Sequence, residues 1–275
     1  MNTFSLDCER IWGMPNVISD EYISKNIAGS DDALHSIISS WNKENCELIL
    51  AFVLASLPGH KSPPALERIK RLELKDKWVE EYEAFNCATA FGPEGRNITM
   101  GVHSVCHNLY TELDNTHLDL EIDTVIAFVE DNPSYKRMFV FPKNLSVSKA
   151  VKKYTKHFDK IRVNSRSWLY RSNSYGVSST KRLLRYLDSF FPIYELFCDK
   201  SAEVDISNCV VGTHFFRANL PKWLLRIHLV RLKLGVRYLN WKDLPAHVWS
   251  HPHNFVDNNE AVRKFVQLGE ILNHE

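Results

Sequence analysis

At 275 residues and 31.9 kDa the chain can form one large domain or two, and its 44% hydrophobic and 24% charged residues are those of an ordinary globular protein. Met1 to Asp20 has no basic-then-apolar leader pattern, and the longest greasy run, Leu48 to Leu57, is too short to span a bilayer. Six cysteines, at 8, 46, 87, 106, 198 and 209, lack CxxC spacing, so a cytoplasmic protein with reduced thiols is expected, with no nucleic-acid partner. The net charge of +1 hides an imbalance: residues 1–142 carry 12 Lys/Arg against 22 Asp/Glu, whereas residues 143–237 carry 19 against 6. The basic part is either a solvated face or a rim that attracts an anionic substrate or an acidic membrane surface.

In chain order, Thr3 to Leu6 reads as a short strand opening into Asp7-Cys8-Glu9. Tyr22 to Gly29 reads as loop, and Ser30-Asp31-Asp32 offers capping chemistry to a helix with Leu34, Ile37, Ile38 and Trp41 at helical spacing. Leu48 to Leu54 is apolar enough for a strand buried on both faces; residues 65–82 resume a helical pattern and 83–97 read as loop. Ile98 to Val102 is a third strand, after which Asn115 is expected to cap a helix running to Glu130. Arg137 to Pro142 and Lys160 to Val163 are further strands around a helix at 146–158. Residues 165–179 read as a long loop and Lys181 to Phe190 as a helix. Cys209 to Gly212 and Ala246 to Ser250 complete seven strands, with helices at 222–235 and 258–273. Strands alternating with helices predict a parallel, barrel-like α/β fold, whose site gathers at the carboxyl ends of the strands.

Several chemistry-bearing residues stand just past predicted strand ends: Asp7, Glu9, His103, His107, Lys143 and His251. His103 and His107 are four apart, so one helical turn would point both imidazoles at a single cation. Asp7 and Glu9 place two carboxylates at i and i+2 straight after a strand, and His251 and His253 follow the last one. Arg162, Arg166, Arg171 and Arg217, in or near predicted loops, suit phosphate oxygens.

Four ordered segments resemble the polysaccharide deacetylase (NodB homology) family of carbohydrate esterases. They are Phe4-Ser5-Leu6-Asp7-Cys8-Glu9-Arg10-Ile11-Trp12-Gly13, His103-Ser104-Val105-Cys106-His107, Phe139-Val140-Phe141-Pro142-Lys143-Asn144 and Trp249-Ser250-His251-Pro252-His253-Asn254-Phe255. They look like the SLDxExxWG, HSxxH, FVFPRN and WWHPHNF patterns of members from surface-polysaccharide biosynthesis. The resemblance spans nearly the whole chain and implies an irregular seven-stranded β/α barrel in one catalytic domain, residues 1–275. It implies Asp7 as general base and His251 as general acid. Glu9, His103 and His107 become ligands of a divalent metal, most often zinc. Trp249 would line the acyl pocket, with Trp12, Lys143, Asn144, His253, Arg166 and Arg171 as further substrate contacts. The activity implied is removal of an N-acetyl, or less commonly O-acetyl or N-formyl, group from a sugar or from a diphosphate- or lipid-linked saccharide. A non-catalytic carbohydrate-binding protein on the same barrel, or hydrolysis of a small cyclic amide, are the alternatives. Two departures stand out: Lys143 takes the place of an arginine expected to orient the base, and Cys8 occupies the slot of a second aspartate.

Overall fold

The computed structural model describes residues 3–9, 20–41, 46–57, 97–163, 169, 179–193, 208–211, 214–242 and 246–271. The strands are β1 (Thr3–Cys8), β2 (Glu47–Phe52), β3 (Ile98–Val102), β4 (Met138–Val140), β5 (Lys160–Val163), β6 (Cys209–Val211), β7 (His214–Phe215) and β8 (His247–Ser250). The helices are α1 (Asp20–Ser40), α2 (Asn115–Asp131), α3 (Ser148–Tyr154), α4 (Ser179–Leu187), α5 (Lys222–Trp241) and α6 (Asn259–Ile271). All strand pairs are parallel, in the order β6-β5-β4-β3-β2-β1-β8-β7.

That order makes the sheet curl. Strands β6 and β7 form its two opposite edges, yet Val211 and His214 are three peptide links apart, so their Cα atoms lie within about 11 Å. An open, flat eight-stranded sheet would hold its edges several times farther apart. In place of the expected seven-stranded barrel the described residues form a curled, all-parallel half-barrel sheet of eight strands. The extra one is His214–Phe215, two residues long and too short to leave a periodic signal.

Curling gives each strand an outer and an inner face. Outward, Phe4 of β1 packs on Trp41 and Phe265 with ring centroids 5.4 and 5.7 Å apart, fixing α1 and α6 against the sheet. On the opposite flank Phe139 and Phe141 pack with Tyr110 and Tyr154, whose hydroxyls are 2.8 Å apart. Each such buried ring contributes about 1.5–3 kcal/mol. The inner face is mixed. Ile49, Ala51, Met138 and Val140 form a small separate apolar cluster there. The polar inward residues are paired: Glu47 accepts from Thr99 (3.0 Å), Arg137 (2.9 Å) and Lys160 (3.2 Å) at the amino end of the strands.

Some local expectations change. Helix α1 begins at Asp20, so residues 22–29 are helical rather than loop. Gly29 is inside that helix because a Cβ there would come within 2.6 Å of Val256; it marks a close approach of α1 to the turn after β8. Asp114, not Asn115, caps α2, its side chain accepting from His117 N at 2.9 Å. The predicted helix at 65–82 lies outside the described residues.

Helix α5 is bolted to the turn after α4 by His228. Its Nδ1 donates to Ser189 O (2.7 Å) and its Nε2 accepts from Arg217 N (3.0 Å), an arrangement that requires the neutral ring. Burial and the nearby Arg217 and Arg231 charges, against the Ser189 bond, push its pKa down to about 4. A histidine depressed on folding stabilises above its unfolded pKa near 6.5, and that stability is lost as pH falls towards 4. About 3 kcal/mol is therefore expected to disappear between pH 6.5 and 4. Urea unfolding of wild type and His228→Gln across this range checks it; parallel stability curves would refute it.

Candidate metal centre and active site

At the carboxyl end of β1 the period-two pleat decides which side chains enter the barrel. Thr3, Ser5 and Asp7 point inward and Phe4, Leu6 and Cys8 outward. Cys8 thus joins the helical layer, with Sγ 3.6 Å from Leu6 O. A tight backbone contact from Glu9 N to Asp7 O (3.0 Å) then turns the chain, and Glu9 reaches the same end as Asp7. A carboxylate two positions on shares the inward side, so the outward Cys8 leaves the site unaffected.

His103 and His107 converge without a helical turn. Ser104 (φ 63°) and His107 (φ 58°) are both left-handed, which costs about 1 kcal/mol or more each outside glycine. Two contacts hold that loop: Glu121 of α2 accepts from Val105 N (2.8 Å), and Ser104 Oγ accepts from His107 N (2.8 Å). Glu121 is fully buried at a core-facing position among Leu118, Ile122 and Val125.

Three imidazoles surround one carboxylate oxygen. Glu9 Oε1 is 2.9 Å from His103 Nε2, 3.1 Å from His107 Nε2 and 3.2 Å from His251 Nε2. Glu9, His103 and His107 offer ligand atoms within 4.8 Å of one another, as do Asp7, Glu9 and His251. His103 supplies the test of whether a cation fits. Its Nδ1 is 2.8 Å from the carbonyl of Val140, which can only accept, so Nδ1 carries hydrogen. In the neutral ring Nε2 then presents a lone pair to the Glu9 oxygen, a contact that is repulsive unless a proton or a metal ion lies between. Two imidazoles and one carboxylate at these separations match the N/O ligand set of zinc and similar divalent ions.

Asp7 is held by Arg162. The guanidinium donates from Nη1 to Asp7 Oδ1 (2.8 Å) and Ser5 Oγ (3.0 Å), from Nη2 to Asp7 Oδ2, and from Nε to Asn144 Oδ1 (2.8 Å). It lies 4.6 Å from the Trp249 ring centroid and is 1% exposed. Arg162 is therefore no phosphate contact. Arg217 is likewise engaged inside the fold, donating to Ser189 Oγ at 2.6 Å. The guanidinium beside Asp7 thus comes from β5, while Lys143 stands exposed in a left-handed turn (φ 51°) with Asn144 (φ 58°) beside it. The signal for Arg162 was present: in Lys160-Ile161-Arg162-Val163 strict alternation places a cation inside a barrel, where it needs an acid.

Charge state follows from these contacts. Burial opposes ionisation of Asp7, but the charges of Arg162 and His103 outweigh it and hold the carboxyl below its ordinary value. Burial likewise opposes Glu9, yet His251, His107 and the imidazole hydrogen bonds hold it well below the usual range. His251 is disfavoured as a cation by burial but raised overall by Glu9 and Asp7. Burial and the neighbouring His251 push His253 down to about 4; their rings stack 4.9 Å apart. Trp249 and Phe215 pack at 4.6 Å and line the inner wall beside His251. Asp7, Glu9, His103, His107, Asn144, Trp249, His251 and His253 thus share one end of the barrel; Trp12, Arg166 and Arg171 lie outside the described residues.

No family model and no curated protein matches the chain. Among solved structures, 4-alpha-glucanotransferase from Thermococcus litoralis aligns at 10% identity with TM-score 0.48, covering 99% of this chain and 37% of that one. The chain thus spans little over a third of that enzyme. A Mycobacterium smegmatis protein, provisionally assigned as a polysaccharide deacetylase, aligns at 10% identity with TM-score 0.51, covering 98% of this chain and 82% of that one. At such identity the likeness is one of fold.

Proposed function

We propose that the chain is a metal-dependent hydrolase that removes an N-acetyl group from a saccharide. The observation that carries this reading is the convergence of Glu9, His103 and His107 on one point, with His103 fixed by Val140 O so that its bare nitrogen faces the carboxylate. The fold shared with the M. smegmatis protein supports the reaction class. Glu9, His103 and His107 would hold the ion. When bound it lowers the pKa of water and polarises the acyl carbonyl.

The chain's own groups do the proton work. Asp7, ionised by its setting, accepts a proton from the attacking water; Arg162 takes two of its roughly four lone-pair positions and leaves the others available. His251, favoured as imidazolium by Glu9 and Asp7, donates to the departing amine, which leaves poorly as an anion. His253, pushed towards the neutral form, is the weaker candidate for that donor. Trp249 and Phe215 wall the acyl side, and the exposed Lys143 suits an anionic group carried by the substrate. A diphosphate-linked sugar would also draw on Arg166 and Arg171.

His103→Ala and His107→Ala are expected to lose bound zinc or another divalent ion, measured by elemental analysis against one ion per chain in the wild type. Acetate release from N-acetylated oligosaccharides should vanish in both and in Asp7→Asn. Full metal occupancy in both histidine variants would refute the ligand set; metal retention without release in the wild type would favour a carbohydrate-binding role.

A further inference from the structure

Helix α5 returns antiparallel to the strands between β7 and β8 and is apolar on two sides. Leu225, Leu229, Leu232, Val236 and Leu239 face the core. On the opposite side Trp223 is 65% exposed, Ile227 45%, Val230 57%, Leu234 57%, Tyr238 39% and Trp241 72%. At about 100° per residue these six fall within an arc of roughly 80°. They form a continuous stripe about 27 Å long with a tryptophan at each end. Beside α5 lie Leu183 (58% exposed), Tyr186 (43%) and Phe191 (58%), locked to it through Arg231, which donates to Asp188 and to Phe191 O. Scattered exposed apolar side chains are ordinary, but a contiguous patch of several hundred Å² marks a contact surface.

Charge says what it contacts. Between His214 and Lys242 there is no Asp or Glu, and none occurs in α4. Lys222, Arg226, Lys233 and Arg237 follow one edge of the stripe, where their stems can lie along apolar surface with the charge held outward. Lys242 sits 4.2 Å from the Trp241 ring centroid at the other end. On this edge Lys222 Nζ lies 3.8 Å from Glu260 of α6. Aromatic ends, an aliphatic middle and a cationic border are the composition of a helix lying in a lipid interface, and net positive charge selects an anionic one.

We propose that the outer face of α5, extended by residues 183–191, docks on an anionic lipid bilayer. The contact proposed is peripheral; no described helix is long and apolar enough to cross a membrane. Since α5 runs along the barrel flank, the barrel lies on its side and its carboxyl-end mouth opens along the membrane plane. The surface is separate from the metal centre, and its test does not depend on catalysis.

Flotation of the full chain with phosphatidylcholine vesicles containing about 30% phosphatidylglycerol, against phosphatidylcholine alone, tests this. At least tenfold stronger partition to the anionic vesicles is expected, released by ~1 M salt. Each cation near such a surface is worth about fivefold, so the triple variant Arg226→Gln, Lys233→Gln, Arg237→Gln should bind roughly a hundredfold more weakly. Trp223→Ser with Trp241→Ser should lose at least tenfold with an unchanged circular dichroism spectrum. Equal partition to both vesicles, or binding untouched by the triple variant, would overturn the proposal. So would a concentration-dependent dimer dissociated by the tryptophan changes, which would assign the face to a second copy.

Discussion

Arg162→Met is expected to destabilise the protein by about 3–5 kcal/mol at neutral pH, because it leaves the buried Asp7 carboxylate without its partner. The loss should depend on pH in a defined sense. Asp7 is depressed in the fold, so its ionised form stabilises above the unfolded pKa near 4, and that contribution fades as pH falls through the folded value. Wild type and variant should therefore converge in acid and differ most at neutrality. Under the proposed function the variant also loses rate, by about 10²–10⁴, the usual worth of a positioned base. Its remaining activity should need higher pH, since burial alone pushes Asp7 upwards. Arg162→Lys keeps the charge but not the fork and should recover part of the stability and less of the rate. Urea unfolding and a pH profile of acetate release check both; an unchanged acid limb would show that Arg162 does not set the base.

Gly101→Ala is the second large effect. A Cβ at this position would stand 2.4 Å from the carbonyl oxygen of Met138, a backbone atom that cannot rotate away, and 3.4 Å from Ile49 Cγ2. Strands β3 and β4 would have to separate where they share the pair Val102 and Phe139. Overpacking of this kind costs about 1–3 kcal/mol, and the inner Ile49, Ala51, Met138, Val140 cluster would loosen with it. The same separation pulls the Val140 carbonyl from His103 Nδ1, so under the proposed function metal affinity should fall about 10–100-fold with Glu9, His103 and His107 all still present. Thermal unfolding with and without added zinc measures the two together; wild-type metal affinity in a destabilised variant would sever the link between strand spacing and ligand orientation.

The sequence revealed those parts of the site that recur at strand ends. Asp7, Glu9, His103, His107 and His251 of the candidate site are legible because each stands at or just past the end of a predicted strand. What stayed hidden depends on long-range geometry. The histidine pair suggested a helical turn, whereas a loop with two left-handed residues, braced by Glu121 from another element, performs the convergence. Charge and nearness to a loop group Arg162 with Arg166, Arg171 and Arg217, although the alternation of its strand places it inward. Gly29 suggested a loop, but a glycine required for close packing and one required for a turn look alike in sequence. His214–Phe215 is defined by its neighbour β8 more than by its own residues.

The position of β8 has a consequence for how the molecule comes together. The first strand pairs on one side with β2, about forty residues later, and on the other with β8, with Phe4 opposite Val248. During synthesis the β1 edge facing β8 therefore has no hydrogen-bonding partner until nearly the whole described chain has emerged. Contacts this distant in sequence slow folding, and an unpaired strand edge is a template for misassociation. His251 follows directly on that last strand. The proton donor of the proposed chemistry thus arrives in the same step that inserts β8 between β1 and β7, and a chain folded only as far as β7 lacks it.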